Sequence, residues 1–412
     1  MDSVKTQYGQ VLLVDAGGFF PEQTDEVYQN TAWFMMDVMR LLGTDAAGIS
    51  DKELRFGKGF LLTNVKRSGL SVVCANLWDK QSKKSLVAPF VIKKVGTVKV
   101  GIFGLMSDKV DVGPSRDSLT VEEPTAAAKR TVAAMRKQGA TVVVLLSQLG
   151  KVESEDLVTA VDGIDVVMVG RNVPLLQKGR MIKNTVACYG GEQGQYIGRT
   201  IVTLDAARKM ASGENDTFIL GPEVGEKPEV LSLVKSFEDA FNETLRKEEK
   251  KKAAAQSATP EGGEPEAAVD HYMGAEVCGR CHTAELAQYK TTAHARAWET
   301  LVDAKKEANP ECVSCHVVGY KQAGGFKTGE DATRLADVQC ENCHGMGTQH
   351  EAYPTAARRI TEATCAQCHN STTSPTFSFE LYKSHVVHQP VANLQPLPFN
   401  PNKKMMKGTD GH

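Results

Sequence analysis

Cys278-Gly279-Arg280-Cys281-His282 is a pentapeptide whose Cys-x-x-Cys-His pattern returns at Cys312/Cys315/His316, Cys340/Cys343/His344 and Cys365/Cys368/His369. Two thiols three positions apart can each add to one vinyl group of a single porphyrin, while the adjacent imidazole swings beneath it to ligate the iron. Paired CxxC alone also serves zinc ribbons, and one CxxC serves disulfide isomerases. Four copies, each with His directly after the second Cys, read as four covalently attached haem c groups. Cys278, Cys281, Cys312, Cys315, Cys340, Cys343, Cys365 and Cys368 are then the attachment points, and His282, His316, His344 and His369 the proximal iron ligands.

The remaining histidines agree with this. The chain has 10 histidines, and the six that are not proximal (His271, His294, His350, His385, His388 and His412) all lie beyond residue 270. A lone histidine is ordinarily a surface or satisfied core residue, but exclusion from the first 270 residues means histidine is needed where the iron is. All six are candidate distal ligands.

Length and composition set the frame. At 412 residues, with 41% hydrophobic and 24% charged residues, the chain has room for two or three ordinary globular domains. A formal net charge of -2 leaves no footprint for nucleic acid or an anionic membrane. The two cysteines outside the motifs, Cys74 and Cys188, fall in expected strands, where buried thiols are the expected state rather than a disulfide. No apolar run approaches a transmembrane span, and Met1 to Gln10 lacks the apolar core of a signal peptide. Haem is attached to CxxCH after export, so the expected location is periplasmic or extracellular, with the signal peptide outside this chain.

From Val11 to about residue 205, short apolar runs alternate with amphipathic stretches, the pattern of an α/β domain. The runs are Val11 to Val14, Val72 to Cys74, Val98 to Phe103, Val142 to Leu146, Val166 to Val169, Val186 to Tyr189 and Arg199 to Leu204. Phe34, Met35, Val38, Met39 and Leu42 share a helical face ended by Gly43, and a second helix is expected from Pro124 to Lys137, stopped by Gly139.

Several of these stretches resemble the 5'-nucleotidase branch of the calcineurin-like metallophosphatases. They are LVDAGGFF (13–20), LGTDAAGISDKELRFG (42–57), VVVLLSQLG (142–150), IDVVMVGRNV (164–173) and YGGEQGQYIGRTIVTLD (189–205). The resemblance implies a metallophosphatase-like α/β sandwich. It also shows what has been lost, since that chemistry needs two metal ions held by Asp, Asn and His. Gly18 stands at the metal-bridging Asp position, Asp51-Lys52 at the Asn-His pair, and Gln148 at the next His. Gly170, Arg171, Asn172 and Val173 stand at the terminal Gly-His-x-His. Asp15, Asp51 and Glu53 remain as carboxylates, expected to be loop caps or solvated charges. Residues 1–227 are therefore expected to be a degenerate domain, a scaffold or binding surface without phosphatase activity.

Pro228 suits the first turn of a helix, followed by Val230, Leu231, Val234, Phe237, Phe241 and Leu245 at helical spacing. This helix is expected to pack on the first domain or bridge to the second, and to dissolve at Lys247 to Lys252. Residues 253–270, rich in Ala, Gly, Pro and Glu, are expected to be a flexible linker, so residues 228–270 form helix and linker. Residues 271–412 are expected to be a mainly α, loop-rich multihaem domain, with one long helix from Ala284 to Glu307 carrying His294. The porphyrins are expected to supply much of its buried apolar surface.

This last region resembles the cytochrome c554 family of tetrahaem electron-transfer proteins. The likeness is carried by YMGAEVCGRCH (272–282), TTAHARAWETL (291–301), ECVSCHVVGYKQAGGF (311–326), VQCENCHGMGTQH (338–350) and TCAQCHN (364–370) with FSFELYKSHVVH (377–388). It implies His294 and His350 as distal ligands, His385 or His388 as a third, and no protein distal ligand for the haem on His316. Electron transfer to redox-partner proteins, other cytochromes or a quinol-linked donor, is the expected function. Two others fit the same residues. One is an oxidoreductase acting on a small nitrogen compound at an open haem, and the other is a subunit of a homo-oligomer or extracellular filament.

Overall fold

The computed structural model describes residues 2–9, 11–173, 176–190, 194–221, 224–257, 271–327, 334–352, 360–370, 373–374 and 376–388. His412 lies outside them, as do residues 258–270 of the expected linker. Two compact units emerge, Met1–Val230 and Leu231–His412.

The first unit is built on a six-stranded sheet. Its spatial order is Arg180–Ile182, Thr185–Tyr189, Val166–Val169, Val142–Gln148, Val98–Met106, Phe90–Val95, with the four inner strands parallel and the two edges antiparallel to their neighbours. The apolar runs are continuous because both faces are covered. Phe103, Leu105, Val143, Leu145, Val167, Val169, Ala187 and Tyr189 meet helices Pro124–Lys137 and Lys151–Ala160. Their sequence neighbours, including Ile102, Val144, Leu146, Val166, Val186 and Cys188, face the other way, toward Ala46, Val73, Val202, Leu204 and Met210. That second β layer includes the hairpin Tyr196–Leu204 with Met210–Ile219. Its own alternation sends Ala47, Val72 and Cys74 outward onto Met36 and Met39 of helix Gln29–Leu42 and Leu61 of helix Lys58–Ser68. The result is an αββα sandwich.

Local chemistry explains the helix boundaries. Glu123 accepts from Thr125 N and Ala126 N at 2.7 and 2.8 Å, with Pro124 at the first helical position. Gly43 ends its helix at φ 79°, a left-handed conformation that glycine adopts without steric cost. Cys74 and Cys188 are buried thiols, pushed up by burial to about 12 and about 11. Cys188 exchanges a hydrogen bond with the Thr200 hydroxyl.

The second unit departs from the sequence expectation in two places. The helix that starts at Pro228 continues to Ser257, through the Lys/Glu run where it was expected to dissolve, because Lys, Glu and Ala all favour helix. From Leu231 on it belongs to the second unit, where the Arg246 guanidinium donates to both carboxylate oxygens of Glu307 at 2.8 and 3.1 Å. The expected long helix 284–307 is broken into Thr283–Tyr289, a 3-10 turn Ala293–Arg296, and Ala297–Asp303. Thr291 and Thr292 turn their hydroxyls back onto the carbonyls of Gln288 and Tyr289, which competes with helix continuation. The unit also has an apolar core of its own, with Tyr272, Leu301, Val313, Val317, Val318, Phe326 and Leu335 buried together.

Candidate functional site

Each Cys-x-x-Cys-His motif is presented by a short helix. The first closes Ala275–Cys278, the second fills Pro310–His316, the third Cys340–His344, and the fourth follows Glu362–Cys365. Three of these helices have side-chain caps. Asn309 accepts from Glu311 N, while Gln339 and Thr361 each head a capping box.

The histidine rings then fall into pairs. His282 faces His350 with centroids 6.1 Å apart, His369 faces His294 at 6.1 Å, and His344 faces His388 at 6.2 Å. A metal ion bonds an imidazole nitrogen at about 2 Å, so two rings that share one ion stand roughly 6 Å apart, centroid to centroid. Each pair joins one proximal histidine to one from outside the motifs, so the residues present fit a six-coordinate haem iron at three sites. His385 is exposed and, among the described residues, meets no proximal ring. Burial, followed by the neighbouring imidazoles, holds His294 and His344 below the ordinary histidine value. Burial does the same to His369. All three are thereby biased to the neutral form, the one with a lone pair to donate.

His316 differs. Its Nδ1 lies 2.6 Å from the carbonyl oxygen of Ala297. A carbonyl only accepts, so Nδ1 carries a proton and Nε2 is the nitrogen left to face an iron. Among the described residues no second histidine ring stacks against it.

Thiol contacts show how the motifs are arranged. The Cys340 sulfur lies beside that of Cys278, and the Cys368 sulfur beside that of Cys315. The first motif thus lies beside the third, and the second beside the fourth. Buried polar side chains that the sequence reading passed over fix this arrangement. The Glu341 carboxylate, inside the third motif, accepts from Met273 N, Gly274 N and Gly347 N at 2.8–3.0 Å. Gln339 accepts from Ala275 N, and the Asn342 amide donates to the carbonyl of Val317, just beyond the second motif. The available signal was the placing of Glu and Asn at the two free positions of one motif.

The loops of the first unit that resemble phosphatase metal loops also converge, at one end of the sheet, but protein groups fill the space. Gln148 Nε2 donates to the carbonyls of Ala16, Gly17 and Gly170 at 3.1, 2.9 and 3.3 Å. Glu53, fully buried, accepts from Gly18 N, Phe20 N, Ser50 N and the Ser50 hydroxyl, and so caps the loop. Arg171 pairs with Asp51, and Asp15 accepts from Gly17 N. Among the described residues no three His, Cys, Asp or Glu side chains converge as a metal site requires.

Fold and site together describe a metallophosphoesterase-type sandwich followed by a c-type cytochrome segment, and comparison with known proteins divides the chain in the same way. Residues 277–345 match the family described as cytochrome c554 and c-prime. Cytochrome c-554 of Nitrosomonas europaea is 37% identical over 88 residues, which cover 18% of this chain and 37% of that protein. Over the first unit, a snake venom 5'-nucleotidase of Gloydius brevicauda is 26% identical across 268 residues, 56% of this chain and 43% of the relative. The solved 5'-nucleotidase precursor of Thermus thermophilus superposes with TM-score 0.51 at 22% identity, covering 60% of this chain and 52% of that one. The chain thus spans less than half the length of these curated relatives. No helix among the described residues is long and apolar enough to cross a membrane.

Proposed function

We propose that the chain is a tetrahaem c-type cytochrome that carries electrons between redox proteins outside the cytoplasm, with the first unit as a hydrolytically silent scaffold. The observation that carries this is the set of three proximal–distal histidine pairs at 6.1–6.2 Å, beside a fourth proximal ring, His316, that no other described histidine faces. Bound haem would supply an iron that accepts and releases one electron at a time. The chain's own residues do the rest. His282 with His350, His369 with His294, and His344 with His388 would hold three irons from both sides. With Cys278 beside Cys340 and Cys315 beside Cys368, the first and third groups, and the second and fourth, would lie close together. An electron donor or acceptor of protein class, another cytochrome or a quinol-linked enzyme, then completes the path. A second reading, reduction or oxidation of a small nitrogen compound, has His316 in its favour, since an iron held there from one side would keep one position open.

The test is a pyridine haemochrome assay combined with electron paramagnetic resonance on the purified chain. Four haems per chain, three low-spin and one high-spin, are expected. Fewer than four haems, or four low-spin haems, would contradict the assignment.

A further inference from the structure

His316 is, among the described residues, the one proximal histidine whose ring makes a hydrogen bond. Its acceptor, the Ala297 carbonyl, is shared. The Thr300 hydroxyl donates to the same oxygen at 2.6 Å and stands 3.5 Å from His316 Nδ1. Asp337, a carboxylate close enough to feel the charge of His316, accepts from Trp298 N at 2.8 Å. A proximal imidazole that donates its second N–H becomes a stronger electron donor to its metal, in proportion to the strength of the acceptor. Two donors on one carbonyl draw on the negative charge of the same oxygen, so each bond is weaker than it would be alone. Thr300 therefore restrains the hydrogen bond that Ala297 gives His316.

The placing of Ala297 adds a second link. It lies three residues after His294, whose ring faces His369, and the turn Ala293–Arg296 runs directly into helix Ala297–Asp303. Val338 N donates to the carbonyl of His294, and Trp298 N donates to Asp337, so the Asp337–Val338 segment pins the turn from one side. One short segment thus presents the distal ring of the fourth site and the hydrogen-bond acceptor of the second.

We infer that Thr300 is a positioning residue that sets the electron-donating strength of His316 through the shared Ala297 carbonyl, and that the segment Ala293–Asp303 couples the second haem site to the fourth. This rests on the haem assignment above. Removing the hydroxyl strengthens the remaining His316–Ala297 bond, which favours the ferric state at that site and lowers its potential.

The experiment is a redox titration of the full holoprotein, followed by electron paramagnetic resonance of the high-spin signal, with resonance Raman of the ferrous iron–imidazole stretch. Thr300→Val and Thr300→Ala should both lower the high-spin midpoint potential and raise the stretching frequency. Thr300→Ser, which keeps the hydroxyl, should match the parent protein. In His294→Ala, the midpoint of the His316 haem should shift more than those of the His282 and His344 haems. An unchanged potential and stretch in both Val and Ala variants, with four haems and one high-spin signal retained, overturns the inference and leaves the haem assignment standing. Absence of a high-spin haem from the parent protein overturns both. Equal shifts in Ser, Val and Ala variants would mean a general packing effect and also overturn it.

Discussion

His385 and His388 sit three residues apart, and residue type alone does not separate them. Backbone geometry does. Both side chains are exposed, but beyond the 3-10 turn Lys383–His385 the ring of His388 faces that of His344 at 6.2 Å, while among the described residues His385 meets no proximal ring. In the same way the rings of His294 and His350 face those of His369 and His282, a pairing that the sequence does not show. His388→Ala should therefore convert one low-spin haem to high-spin, while His385→Ala should leave the spin-state ratio unchanged. Four haems should remain in each, since attachment depends on the cysteines. Optical and electron paramagnetic resonance spectra of the two variants decide the matter, and conversion by His385→Ala with none by His388→Ala would exchange their roles. The histidines of the motifs are legible because they adjoin cysteines in the chain. Those whose rings face them are brought up by folding, so their pairing is not written in any local pattern.

At the scale of elements, the short helices of the second unit are fixed by polar side chains reaching between them. Glu341 is the central example. It is buried in one motif, yet three backbone N–H groups from Met273, Gly274 and Gly347 converge on it, two of them just ahead of the helix that carries Cys278. Each buried donor left without an acceptor costs about 1–3 kcal/mol, so Glu341→Ala should destabilise the haem unit by on the order of 3 kcal/mol or more. Urea unfolding followed in the Soret band measures this, and a loss below about 0.5 kcal/mol, the range of ordinary surface substitutions, would mean that Glu341 is not a brace. The elements of the first unit were far more legible. The continuous apolar runs of Val98–Met106 and Val142–Gln148, and the Pro124 start of the next helix, follow from local rules. The helix expected over 284–307 is broken where Thr291 and Thr292 turn their hydroxyls back onto the chain ahead of the 3-10 turn Ala293–Arg296.

Taken whole, the molecule joins a unit whose converging loops are closed by internal hydrogen bonds to one whose histidines stand in facing pairs. Which residues stand at the metal positions of the phosphatase resemblance is legible position by position. What those residues bond to is not, because it depends on which side chains folding brings together. The Gln148 amide bridges three loop carbonyls, Glu53 gathers four donors, and Arg171 neutralises Asp51. A divalent ion entering there would have to displace all three, with no histidine to receive it. A ligand that binds the folded state at a hundred times its Kd stabilises it by about 2.7 kcal/mol. A stabilisation of that size raises the melting midpoint of a unit this large by several degrees, at roughly 2–4 °C per kcal/mol. The full chain should show no such rise with millimolar manganese or zinc, and no fall with a chelator. Unfolding of the first unit is followed by the fluorescence of Trp33 and Trp78, since haem quenches Trp298 in the other unit. The same samples should hydrolyse neither 5'-AMP nor bis(p-nitrophenyl) phosphate above the uncatalysed rate. Metal-dependent turnover, or a metal-dependent rise in the fluorescence midpoint that Glu53→Gln or Gln148→Ala alters, would show that an ion site survives among these loops.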